Sequence, residues 1–281
     1  MTDPHASPAP AGAAVDPAVA LGTIGTTAPG VDAADVAAYA LRLGDDSLIL
    51  GQRLSEWCAK SPEMELDIAL MNLSLDLFGR ARTLLSHAAA LEDRGRDEDS
   101  IAFLRDIGDF RNVLLAEQPN GDFAETIVRQ VLFDCFDLPF QEALAASADE
   151  TLAAVAAKAV KESAYHMRFS ANWLIRLGDG TDESHRRAQA ALDALAPYAH
   201  ELFETDALED RLIAAGVAVD RAALRPRFDE RLAAILKDAT LTLPGTDWRP
   251  TGGRRGEHSE ALGFLLAEMQ WMQRAYPDSQ W

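Results

Sequence analysis

From Val31 onward apolar residues recur at the three- and four-residue intervals of an amphipathic helix, and strand-like alternation is hard to find anywhere. The spacing predicts helices over about 33–59, 63–92, 97–116, 122–138, 139–147, 149–178, 182–203, 206–214, 221–237 and 256–275. Punctuation agrees with these limits. Ser61-Pro62-Glu63 puts a proline at the start of the second helix, and Gln118-Pro119-Asn120-Gly121 makes a turn that Asp122 closes as a cap. Leu138-Pro139 should stop or kink a helix, Gly44 marks a bend in the first, and residues 241–255 read as a loop. Three of these helices run to about 27–30 residues against a mean of about 11–12. Long helices joined by short turns favour an antiparallel bundle.

Polar residues interrupt the apolar stripes at particular points. On the second helix Leu66, Leu70, Leu73, Leu77, Leu84 and Ala88 follow the helical period, and their stripe passes through Arg80. Phe123, Ile127, Val131 and Leu138 form a stripe that passes through Asp134, while Leu152, Val155, Ala156 and Ala159 lead into Ser163 and His166. Three core faces therefore carry polar side chains.

Composition narrows the classes. In 281 residues, 26 basic against 45 acidic side chains give a net charge of −19, which disfavours nucleic acid and anionic membranes as partners. Residues 1–32 are rich in Ala, Pro and Gly without a sustained period and read as a disordered tail ahead of one helical domain, 33–281. No Lys or Arg precedes Arg42, so a signal peptide is not expected and the chain reads as cytoplasmic. Cys58 and Cys135 are too few for a disulfide framework and are read as buried thiols. The charged stretches Asp93–Asp99 and Glu201–Asp210 read as solvated.

Glycine-rich phosphate loops, a nucleophile elbow and H-E-x-x-H are all missing. A polar set in a bundle core instead invites comparison with di-iron carboxylate sites, built from four carboxylates and two imidazoles with E-x-x-H pairs one turn apart. The set here is incomplete. Glu162 stands four residues before His166, the residue three before it is Ser163, and Asp76 is followed at the same spacing by Arg80, which cannot bind a metal.

Segments 41–58 (LRLGDDSLILGQRLSEWC), 75–89 (LDLFGRARTLLSHAA), 114–130 (LLAEQPNGDFAETIVRQ), 158–170 (KAVKESAYHMRFS) and 251–281 closely resemble the C subunits of bacterial phenylacetyl-coenzyme A epoxidases. The resemblance covers nearly everything after residue 32. It implies an all-α, ferritin-like four-helix bundle with additional helices, non-catalytic itself and paired with a related catalytic A subunit that carries the di-iron centre. The A subunits contain S-E-I-I-G, D-E-x-G-H, L-V-D-G and K-E-E-S-F-H. Fitted to that text, Leu48, Leu77, Arg80 and Ser163 replace ligands while Asp134 and His166 survive, a degenerate di-iron site. No cofactor is then expected in this chain. The small B subunit and a reductase carrying flavin and iron–sulfur, fed by NADPH, are further candidate partners.

Three further expectations come from the residues. Arg80 should replace the metal's charge by pairing with Asp134, with His166 and Ser163 completing the hydrogen bonds. Arg254 and Arg255, in a glycine-containing loop ahead of a helix, are candidates for an anion or partner contact. The apolar face formed by Leu262, Leu265, Leu266, Met269 and Met272, with Trp271 beside it, reads as core or as an interface with another protein chain. The competing readings are an active di-metal oxygenase or oxidase using Asp134, Glu162 and His166, and a stand-alone homo-oligomeric helical binding module.

Overall fold

The computed structural model describes residues 24–277, so most of the expected tail lies outside them. The described residues are helical, with no strand among them. Four long helices set the architecture: α1 (Ala33–Ser55), α2 (Met64–Glu92), α5 (Phe123–Leu144) and α6 (Glu150–Gly178). Between the second and third of these lie the short α3 (Glu98–Phe103) and α4 (Leu114–Glu117). After them come α7 (Asp182–Leu195), α8 (Ala207–Ala214), α9 (Arg225–Asp238), α10 (Glu260–Met269) and α11 (Trp271–Ala275). None is long and apolar enough to cross a membrane.

Three of the long helices begin at side-chain caps. Asp32 accepts from the Ala34 amide, Asp122 from those of Ala124 and Glu125, and Asp149 from Leu152, each satisfying donors that a helix start leaves open. The short links after Ser55 and Leu144 fold α1 on α2 and α5 on α6, and the two hairpins meet where α2 lies along α6. Gly44 produces no break in α1. A Cβ there would sit 2.6 Å from Leu85 Cδ2, so the glycine serves the close approach of α1 to α2. The fully buried Tyr39, Ile49, Leu50, Leu70, Leu73, Leu77 and Leu84 fill the α1–α2 part of the core.

Several boundaries differ from those read in the sequence. Pro139 neither stops nor ends α5, which runs on to Leu144 because Phe140, Gln141 and Leu144 are buried in the same core. The helix expected over 97–116 is broken into α3, a single 3₁₀ turn at Ile107–Asp109 and α4. Two buried acids of α1 account for the break. Asp45 accepts the Arg111 amide and Asp46 the Val113 amide, both at 2.8 Å, which holds the intervening backbone extended. Pro197 similarly converts the end of the 182–203 segment to a 3₁₀ stretch, Ala196–Phe203. Over 256–275, helix begins only at Glu260 and is interrupted at Gln270, whose buried amide donates to the carbonyls of Ala102 and Arg105. Cys135 is buried as expected, but Cys58, just past the end of α1, is exposed.

Candidate functional site

Polar side chains from α2, α5 and α6 converge inside the long helices. The six positions singled out as a degenerate metal site, Leu48, Leu77, Arg80, Asp134, Ser163 and His166, are all buried. Their connections are not the expected ones. Arg80 turns to Asp137, one helical turn beyond Asp134, with Nη1 donating to both carboxylate oxygens at 2.9 Å. Its Nη2 donates to Ser163 Oγ at 3.1 Å, and that hydroxyl donates to Asp137 Oδ2 at 2.5 Å. Gln141 completes the shell with a 2.8 Å bond to Asp137 Oδ1. Burial pushes the Asp137 carboxyl up, but the Arg80 charge and the bonds from Gln141, Ser163 and Arg80 outweigh it and hold the group below the usual carboxylate range.

Asp134 is a separate unit. Gln130 and Ser170 each donate to it at 2.7 Å, and no guanidinium reaches it. Burial, opposed by the nearby His166 and those two donors, pushes its carboxyl up to about 7. His166 in turn bonds not to Asp134 but to Asp76, with Nε2 at 3.1 Å from Oδ2, at the half-exposed seam between α2 and α6. The structure therefore joins Arg80 with Ser163 and separates both from Asp134. Asp137 and Gln141 went unread in the sequence, and Asp76 was noted there only for its spacing from Arg80, not as the partner of His166. Asp137 follows Asp134 by three residues, so the same helical periodicity that exposed one acid could have exposed the other.

A small cavity of about 20 Å³ adjoins this cluster, lined in part by Ser47, Arg80, Asp137 and Val155, one from each long helix. Its far wall is Arg221, whose guanidinium lies 5.2 Å from the centre of the Phe140 ring and whose Nε is 3.0 Å from Glu209. Glu209 also receives Arg42 at 3.1 Å. The acids of 201–210 are thus not uniformly solvated. Glu209 and Glu201 are each 1% exposed.

Glu201 also decides the fate of the glycine-containing loop. Its Oε1 accepts the amides of Gly252 and Gly253 and its Oε2 that of Leu114, so the chain's own carboxylate fills the place where an external anion would sit. Arg254 is spent as well. It pairs with Asp46 at 2.6 Å and donates to the carbonyls of Arg42 and Arg111, leaving only the exposed Arg255, paired with Glu257, facing solvent. Of the two arginines expected as an anion or partner contact, Arg254 is thus engaged within the chain and Arg255 alone stays at the surface.

The residues present do not fit a metal ion. A permanently protonated guanidinium occupies the Arg80 position, and no cluster of three or more His, Cys, Asp or Glu among the described residues is arranged to hold one. What the cluster can do chemically is neutralise charge and fix helix register.

The model of the phenylacetic acid catabolic protein family matches residues 25–281. The chain belongs to that family. This family member is 49% identical over 244 residues to the C subunit of the 1,2-phenylacetyl-CoA epoxidase of Escherichia coli (strain K12). The match covers 87% of the chain and 98% of the relative.

Proposed function

We propose that this chain is the structural, non-catalytic subunit of a phenylacetyl-CoA ring 1,2-epoxidase in aerobic phenylacetate catabolism, working in the cytoplasm. In this reading it is a ferritin-like four-helix bundle with a degenerate di-iron site and pairs with a catalytic A subunit. The di-iron centre belongs to that partner, and electrons come from NADPH through a reductase with flavin and iron–sulfur groups. The observation that carries the non-catalytic part is the Arg80–Asp137–Ser163 cluster. A cation that cannot be removed is neutralised by one carboxylate and hydrogen-bonded to one hydroxyl, in the core where oxygen and nitrogen ligands would converge on metal. The relative's near-complete coverage supports membership of the epoxidase complex.

Metal analysis of the chain alone and after co-expression with a catalytic A subunit tests the reading. An iron-free chain that co-elutes with an iron-bearing partner is expected. Stoichiometric iron in the isolated chain would replace it with the di-metal oxygenase reading, and a homo-oligomer that ignores the A subunit would replace it with the stand-alone module.

A further inference from the structure

The charge of this protein is unevenly spent. Most exposed arginines have an acid beside them: Arg186 and Arg187 share Glu183, Arg211 meets Asp35, Arg225 meets Asp229 and Arg227 meets Glu142. Helix α6 breaks that pattern. It carries Lys158, Lys161, Arg168 and Arg176 against only Glu150 and Glu162, in a chain whose net charge is −19. Lys158 reaches Glu162 at 3.4 Å, while Lys161, Arg168 and Arg176 have no carboxylate partner among the described residues. Arg168 and Arg176 lie instead over the rings of Tyr165 and Trp173, at 5.5 and 5.1 Å.

Lys158, Lys161, Tyr165, Arg168, Asn172 and Arg176 recur at three- and four-residue intervals, so they share one face of the helix, and all are exposed. Beside them α2 exposes an apolar stripe of its own: Met64 at 72%, Ile68 at 55% and Leu75 at 60%. The Asp76–His166 bond joins the two faces, since Leu75 and Tyr165 are the chain neighbours of its two ends. Charged side chains of the opposite sign on or beside this surface are Asp76, Glu162, Glu63 and Glu65 near the start of α2, and Glu98, which is paired with Arg82.

We infer that the joint outer face of α2 and α6 is a docking surface for a partner subunit presenting an apolar helical surface edged with carboxylates. Charge complementarity decides the occupant. A second copy docking by the same face would set unpaired cations against unpaired cations. An anionic membrane or nucleic acid would meet the repulsion of the remaining acidic surface. Apolar contact from Met64, Ile68 and Leu75 supplies the desolvated centre, and the α6 cations set orientation and approach rate at the edge. The inference rests on the subunit reading above and adds where the partner sits.

The test is co-elution and calorimetric titration of the full chain with the iron-bearing catalytic A subunit. The probes are Leu75→Asp and a combined Lys161→Glu, Arg168→Glu, Arg176→Glu variant, with Arg186→Glu plus Arg187→Glu as a control on another surface. All sites are exposed, and an unchanged thermal midpoint identifies variants that remain folded. Wild type and control should bind alike. The triple variant should bind at least about tenfold more weakly and lose most of its salt dependence, and Leu75→Asp should lose co-elution. Wild-type binding with both probes unaffected would overturn this surface while leaving the subunit reading intact. No wild-type binding would overturn both. Self-association of the wild type that Leu75→Asp abolishes would assign the face to a second copy instead.

Discussion

Replacing Arg80 by Leu probes whether the core cluster is a charge-neutral unit. Arg80 and Asp137 are 3% and 5% exposed, and at an effective dielectric of about 20 two charges 4 Å apart attract by about 4 kcal/mol. Removing Arg80 strands a buried carboxylate that keeps only Gln141 and Ser163 as donors, so the loss should fall near the lower end of about 3–5 kcal/mol. Asp137→Leu strands the guanidinium with Ser163 alone and should cost nearer the upper end. The double variant removes both charges and should cost well under the sum, giving a coupling of about 2 kcal/mol or more. Arg80→Leu combined with Asp134→Leu should instead be additive, because Asp134 draws its bonds from Gln130 and Ser170. Urea unfolding followed by helical circular dichroism gives each stability from the midpoint and slope. There is also a pH signature. In the wild type, Asp137 is held below its ordinary value, so its contribution is present above about pH 4 and is lost as pH falls through the lower folded value. Without Arg80, burial raises that carboxyl, and acidification toward about pH 5 should recover part of the lost stability. Additivity of Arg80→Leu with Asp137→Leu to within about 0.5 kcal/mol would refute the pairing.

Two further outcomes follow from the segment that closes over α4. His258 Nε2 faces the Phe110 carbonyl at 3.0 Å, so it carries a proton, and Nδ1 lies 2.7 Å from Glu117, which also accepts from Asn112 and Ser259. Burial disfavours the imidazolium, but Glu117, the Phe110 carbonyl and Asp45 outweigh it and raise the group above its usual value. The clamp's contribution should be complete below about pH 6.5 and disappear as pH rises through the raised folded value. Amide exchange over 256–269 should therefore accelerate with pH beyond its intrinsic dependence, and His258→Asn should abolish that excess. In the same segment, Gly253→Ala would place a Cβ 2.1 Å from the Asn112 carbonyl, so the backbone must move and the amides held by Glu201 go with it. A loss of about 1–3 kcal/mol in thermal or urea unfolding is expected, and unchanged stability would show that the loop tolerates displacement.

The long helices were legible because their cause is local and periodic. The cap at Asp122 and the apolar repeat of Leu66 through Leu84 are written in neighbouring positions, so helix type and the inward-facing Arg80 could be read without a structure. The same holds for the family, since long continuous segments carried it. What the sequence left open was which buried groups meet. Asp134 and Asp137 are one turn apart on one helix, and choosing between them as the partner of Arg80 depends on the relative register of α2 and α5, a distance set by side chains from all four long helices. Pro139 showed the same limit in reverse, because burial of Phe140 and Leu144 overrode a strong local stop signal. Glu201 and Glu209 look solvated in a linear reading, and Arg254 free to meet a ligand, because the partners that hold them include residues 51 to 212 positions away. Periodicity reports only which way a residue faces its own helix axis. Tertiary structure alone decides what stands opposite.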